Sequence, residues 1–126
     1  MKKLVHTDKA PAPIGAYSQG TAYDKLIFTS GQLPVNMKSG VLVTGDINAA
    51  TRATLENVIK VVEAAGGKKD NILKTTVFMK DLEQFHLVNS VYAEVFTKNA
   101  PARSAVQVAR LPKDVDIEIE AIAAKE

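Results

Sequence analysis

Seven residues near the C-terminus alternate without a break, and they constrain the fold more than any other stretch. In Val115-Asp116-Ile117-Glu118-Ile119-Glu120-Ala121, every odd position is apolar and every even one is acidic. A period of two puts the two sets on opposite faces of an extended chain. Such a segment makes a strand with one buried and one polar face. The preceding stretch, Arg103 to Ala109, divides the same way, into Ser104/Val106/Val108 and Arg103/Ala105/Gln107. Pro112-Lys113-Asp114 supplies turn residues between them. Paired as an antiparallel hairpin, the two strands put Arg103 and Glu118 on the same polar face.

The remaining signals predict strands, helix, strand, helix, strands. Tyr17–Tyr23 and Leu26–Ser30 flank a two-residue turn at Asp24-Lys25. Asp46 is a helix cap, Leu55, Val58, Ile59 and Val62 recur at helical spacing, and Gly66-Gly67 stops the helix. Ile72–Met79 is rich in β-branched residues and reads as a strand. A second helix begins near Asp81, where Asp81 and Gln84 resemble a capping box. Its buried stripe is Phe85, Val88, Tyr92, Val95 and Phe96, and Asn99-Ala100-Pro101 ends it. This order implies an α+β fold of one domain over residues 1–126, with both helices on one side of a sheet. The other side of the sheet carries the charged face and meets water or another subunit.

Charge and composition exclude several classes of function. Lys plus Arg number 16 and Asp plus Glu 14, a net +2, which is too balanced for a general nucleic-acid wrapper. There is no cysteine, so thiolate nucleophiles, disulfides and cysteine-held metals are ruled out. Two histidines, His6 and His86, do not make a His-rich metal site. No apolar run approaches the roughly 20 residues of a membrane span. Met1–Asp8 has two lysines with no apolar stretch behind them, unlike a secretory leader. The expectation is a cytoplasmic protein.

Common enzyme motifs are missing: no G-x-G-x-x-G, P-loop, G-x-S-x-G or H-E-x-x-H. Arg103 and Glu118 remain as the chemistry-bearing pair. A guanidinium grips a carboxylate in a planar, two-pronged way that lysine does not match. A carboxylate beside it holds and polarises a water. On pattern alone the same pair also reads as a solvated cross-strand ion pair worth little. Tyr17 covers a pocket or is merely half-buried. Gly31 admits a ligand to the backbone or serves a turn. Asn89 interrupts the second helix's stripe, either as a buried polar contact or as an exposed residue. Tyr92 and Phe96 read as core.

Longer stretches resemble a known family. Pro101-Ala102-Arg103-Ser104-Ala105-Val106-Gln107-Val108-Ala109-Arg110-Leu111-Pro112, followed by Val115 to Glu120, is similar to the C-terminal signature of the RidA, or YjgF-type, imine deaminases. Ala10 to Gly20, Phe28 to Gln32 and Lys74 to Leu82 match as well, so the likeness spans nearly the whole chain. It implies a chorismate-mutase-like α+β fold, with a mixed sheet and two helices on one face. It also implies homotrimers with a central β-barrel and clefts between subunits. The implied reaction is hydrolysis of 2-iminobutanoate or 2-iminopropanoate to a 2-oxo acid and ammonia, without cofactor or metal. On this chain Arg103 would grip the substrate carboxylate and Glu118 would position the attacking water. The backbone at Gly31 and Ala105 would touch the ligand. Tyr17, from a neighbouring subunit, would close the cleft, and Ser30 and Asn89 would lie near it. Many members carry cysteine where this chain has Ala105, so only a backbone role there is compatible with activity.

Two other functions remain open in the sequence. One is a regulatory protein that binds 2-oxo acids without turning them over. The other is RNA-directed activity, since the family has carried the labels endoribonuclease and translation inhibitor. The balanced charge and the lack of a basic, aromatic-studded surface do not support an RNA-binding face.

Overall fold

The computed structural model describes residues 1–126. Its main sheet has six strands in the order β1-β2-β3-β8-β6-β7. These are β1 (Lys3–Val5), β2 (Gly20–Tyr23), β3 (Leu26–Thr29), β6 (Gly67–Met79), β7 (Ala102–Gln107) and β8 (Ile117–Lys125). A small hairpin, β4 (Val35–Asn36) with β5 (Val41–Leu42), stands apart from it. The helices α1 (Ile47–Ala64) and α2 (Phe85–Val95) contribute to one apolar core against the sheet. The expected mixed α+β architecture is therefore present. No helix is long and apolar enough to cross a membrane.

Local chemistry explains the elements that match expectation. β2 and β3 pair across Asp24-Lys25, with Asp24 in the left-handed region at φ 54°. Asp46 caps α1 by accepting from the Ala49 N–H at 3.1 Å. Leu55, Val58 and Val62 are fully buried beneath that helix. Gly66, at φ 93°, turns the chain out of it.

Other boundaries differ. β6 starts at Gly67, five residues before the expected Ile72, and its pairing with β8 shifts register between Ile72 and Lys74. The extra residue there, Leu73, lets both Ile72 and Thr75 face the core. The second helix opens as a 3-10 turn over Leu82–Gln84, where Asp81 accepts from the Glu83 N–H rather than forming the reciprocal pair with Gln84. It ends at Val95, before Asn99-Ala100-Pro101. Gly20 begins β2, so Tyr17 lies in the loop ahead of it.

The expected C-terminal hairpin is not formed. β7 pairs in parallel with β6, and β8 pairs antiparallel with the other edge of β6. A strand that follows β6 through a helix returns parallel to it, and α2 is that connection. Thr75 opposes Arg103 across one edge of β6, and Phe78 opposes Glu118 across the other. Arg103 thus shares the helix face with buried Thr75, whereas Glu118 lies between buried Ile117 and Ile119 and points to the open face. The two residues expected on one face stand on opposite faces of the sheet.

The open face is less charged than its sequence suggests. Beside Glu118 and Glu120 it carries Leu26, Phe28 and Val106, each more than two-fifths exposed.

Candidate functional site

Arg103 is held from three sides by α2. Its guanidinium carbon lies 4.8 Å from the ring centre of Phe85 and 4.8 Å from that of Tyr92. Its Nη1 donates to Asn89 Oδ1 at 3.0 Å. Residues 85, 89 and 92 recur at i, i+4 and i+7, so all three project from one side of the helix. No carboxylate pairs with Arg103; the ion pairs of the chain involve other residues. Stacking of this kind fixes a cation without neutralising it. Arg103, Asn89 and Tyr92 line an open recess of about 480 Å³ with Phe96, Ala100 and Pro101.

Glu118 belongs to a second recess, of about 440 Å³, lined also by Ile14, Tyr17, Ser30, Gly31, Leu33 and Pro112. Paired backbone bonds tie Gln32 to Ile119 at 2.8 and 3.2 Å, which brings the 30–32 segment against β8. A methyl group at Gly31 would fall on the Glu118 carboxylate, so any side chain there would force Glu118 out of its present position. Burial raises the Glu118 pKa above its ordinary value, and the neighbouring Glu120 charge adds to the rise. Ser30 Oγ donates to the Ser18 carbonyl at 2.6 Å, fixing the loop that carries Tyr17. Tyr17 is half exposed, and its hydroxyl accepts from the Ile14 N–H at 3.4 Å.

Of the residues singled out in the sequence, Tyr17, Ser30, Gly31 and Glu118 come together, and so do Arg103 and Asn89. The two groups line separate recesses. Ala105 lies two residues beyond Arg103 on the same face, packed against the core, and lines neither recess. Phe85 and Tyr92, read as core from the sequence, are the rings that hold the guanidinium. Helical spacing puts Phe85, Asn89 and Tyr92 on one face, but an apolar stripe reads the same with or without a cation resting on it. No cluster of His, Asp or Glu suited to a metal ion occurs.

A stacked guanidinium without a carboxylate partner and a half-buried carboxyl of raised pKa, on a two-helix mixed sheet, are groups with the chemistry to bind an anion and to exchange a proton. The chain belongs to the Endoribonuclease L-PSP family, whose model matches residues 7–125. A relative in Escherichia coli K12, named 2-iminobutanoate/2-iminopropanoate deaminase, is 56% identical over 128 residues, covering 99% of each chain. A RutC family protein of Pyrococcus horikoshii is 50% identical over the full length of both. Among solved structures, the YjgF gene product of E. coli superposes with a TM-score of 0.92 at 53% identity, covering 98% of this chain and 99% of that one. E. coli TdcF with bound serine gives 0.93 at 46% identity, with the same coverage.

Proposed function

We propose that this protein hydrolyses short 2-imino acids, 2-iminobutanoate and 2-iminopropanoate among them, to 2-oxo acids and ammonia. The observation that carries the reading is the separation of the two reactive groups. Arg103 has no carboxylate within its own chain, and Glu118 has no cation. Each recess supplies half of what the reaction needs. The complete site forms where the Arg103 recess of one copy meets the Glu118 recess of another. The exposed Leu26, Phe28 and Val106 on the open sheet face support such an assembly, because an apolar patch of that kind marks an interaction surface. A homotrimer with three equivalent clefts around a central barrel satisfies this requirement.

In the cleft, Arg103 holds the substrate carboxylate through paired N–H donors. Glu118, as carboxylate, accepts a proton from water while the water oxygen bonds to the imine carbon. The π electrons of the C=N bond move to nitrogen. Glu118 returns that proton to the nitrogen, which gives a carbinolamine; it then takes the hydroxyl proton and passes it to the same nitrogen, and the carbon–nitrogen bond breaks as the oxygen collapses to a carbonyl. One water is consumed, and one 2-oxo acid and one ammonia leave. A carboxyl of raised pKa suits this role, since burial and the Glu120 charge make it a stronger proton acceptor than an ordinary carboxylate. Serine, the molecule in the E. coli TdcF structure, also carries a nitrogen on the carbon next to a carboxylate, which supports a ligand of this shape. Residues 1–126 act as one unit, and no metal or cofactor takes part.

The test couples purified protein to a threonine dehydratase, with semicarbazide competing for the imine. Faster 2-oxobutanoate release by wild type, absent in Arg103→Ala, is the expected result. No acceleration from folded, assembled protein would overturn the hydrolase reading.

A further inference from the structure

Arg103 and Thr75 occupy the same rung of the β6–β7 ladder. From that rung the Thr75 hydroxyl meets the Tyr92 hydroxyl at 2.6 Å in the core, while the Arg103 guanidinium lies against the face of the same tyrosine ring. Thr75 is fully buried and Tyr92 only 5% exposed. Phe96 braces the ring from another side, with centroids 5.3 Å apart. A buried tyrosine hydroxyl needs a partner, so the ring is locked by where Thr75 sits. Tyr92 thereby becomes a wall tied to the strand neighbouring the one that carries Arg103. We propose that the Thr75–Tyr92 pair is a positioning device for Arg103, which sets how tightly the cleft grips its ligand's carboxylate. This deepens the function proposed above and rests on it.

Three features distinguish this arrangement from ordinary core packing. The pair has no charge, so it orients the guanidinium without competing for it. Burial raises the Tyr92 phenol pKa against the smaller lowering effects of Thr75 and Arg103, so the ring stays neutral and presents its π face rather than a phenolate. Asn89 fixes one edge of the guanidinium through a neutral amide oxygen. With Phe85 the second ring, the donors not bound to Asn89 remain available for an external anion. An arginine side chain freezes several rotors when it binds, and prior ordering removes part of that entropic penalty from the ligand's affinity.

The test measures 2-oxobutanoate affinity by calorimetry, and KM and kcat by the semicarbazide competition, for four variants. Tyr92→Phe keeps the ring and removes its hydroxyl. Thr75→Val removes the partner, Thr75→Ser retains it, and the double variant Thr75→Val/Tyr92→Phe removes both. The expected result is a rise in Kd and KM of about three- to tenfold for Tyr92→Phe and Thr75→Val, with kcat unchanged. Thr75→Ser should restore near-wild-type affinity, and the double variant should be no worse than either single one. A lower melting temperature with unchanged Kd and KM would overturn the inference and leave the pair as core packing alone. Additive losses in the double variant would overturn it too. Arg103→Ala separates the two levels of the argument. If it binds 2-oxobutanoate as wild type does, or if wild type binds none, the function reading fails. If Arg103→Ala loses binding and Tyr92→Phe does not, only the positioning role fails.

Discussion

The proposed division of the site between copies predicts that two inactive variants restore each other. Arg103→Ala removes a cation fixed by two aromatic rings and Asn89, and no other basic residue lines its recess. Losing one partner of a desolvated ionic contact costs about 2–5 kcal/mol, so activity should fall at least about thirtyfold. Glu118→Gln leaves that recess untouched and removes the proton carrier, with a loss of about a hundredfold or more. Each variant alone should be nearly silent. In a cyclic assembly of randomly mixed chains, a cleft is intact when its arginine half comes from Glu118→Gln and its glutamate half from Arg103→Ala. Purification through both tags removes unmixed assemblies, and each mixed trimer then holds one intact cleft of its three, so about one third of wild-type activity should return. The assay is coupled 2-oxobutanoate release from chains carrying two different tags, co-expressed and purified through both. Mixed assemblies that stay at the level of the parents would refute the reasoning, because the tags prove that exchange has occurred.

Three further outcomes follow from the same geometry. Burial raises the Glu118 pKa, so ionising it works against folding: the penalty is absent below the unfolded value, grows as pH rises through the folded one, and is full above it. Glu118→Gln should therefore melt higher than wild type at pH 7 and show no such advantage near pH 4, while kcat/KM of wild type declines as acid protonates Glu118. Gly31→Ala puts a methyl group on the Glu118 carboxylate; overpacking of this kind costs about 1–3 kcal/mol, and turnover should drop even where calorimetry finds carboxylate binding retained. Phe28→Lys places a charge on the open sheet face, and light scattering should then report smaller particles, with activity lost and the circular dichroism of the helices kept.

Much of the fold was legible because its signals are local. Asp46, the apolar spacing through Val62 and Gly66 define α1 without reference to anything distant, and Asp24-Lys25 defines one hairpin. Alternation correctly separated Ile117 and Ile119 from Glu118 and Glu120. It says which residues share a face of one strand, but it does not say which strand lies alongside. That choice is made by α2, whose return to the sheet sets β7 parallel to β6 and leaves β8 to the opposite edge. Arg103 and Glu118 were therefore found as a pair by residue type and resemblance, and misassigned to one face by an assumed hairpin. The extra residue at Leu73 has the same character: alternation from Ile72 onward implies the wrong parity for Thr75. Phe85 and Tyr92 carry a helical apolar stripe whichever way they are used, so the stripe did not reveal that a cation rests on them.

Opposite faces also explain how both groups keep the state their chemistry requires. Side by side in one chain, a guanidinium and a carboxylate attract strongly enough to close into a two-pronged pair. Arg110 and Asp114 do so here, with bonds of 2.6 and 3.1 Å, and the effect is to pull the Asp114 pKa down. A pair of that kind at the site would occupy the donors meant for the substrate and depress the pKa of the group meant to carry its proton. With the sheet between them, the charge facing Glu118 is another carboxylate, Glu120, which moves its pKa upward. Arg103 meets only rings and an amide. In the proposed assembly each would stay unsatisfied toward the other until copies associate, and the substrate would enter as the anion between a free cation and a carboxyl of raised pKa. Moving the carboxylate to the arginine's own recess tests this directly. Ala93 lines that recess on α2, and Ala93→Glu should pair with Arg103, raise KM sharply and leave the fold and the assembly intact. Unchanged KM in that variant, with the new ion pair visible in its structure, would refute the view that separation of the charges protects the site.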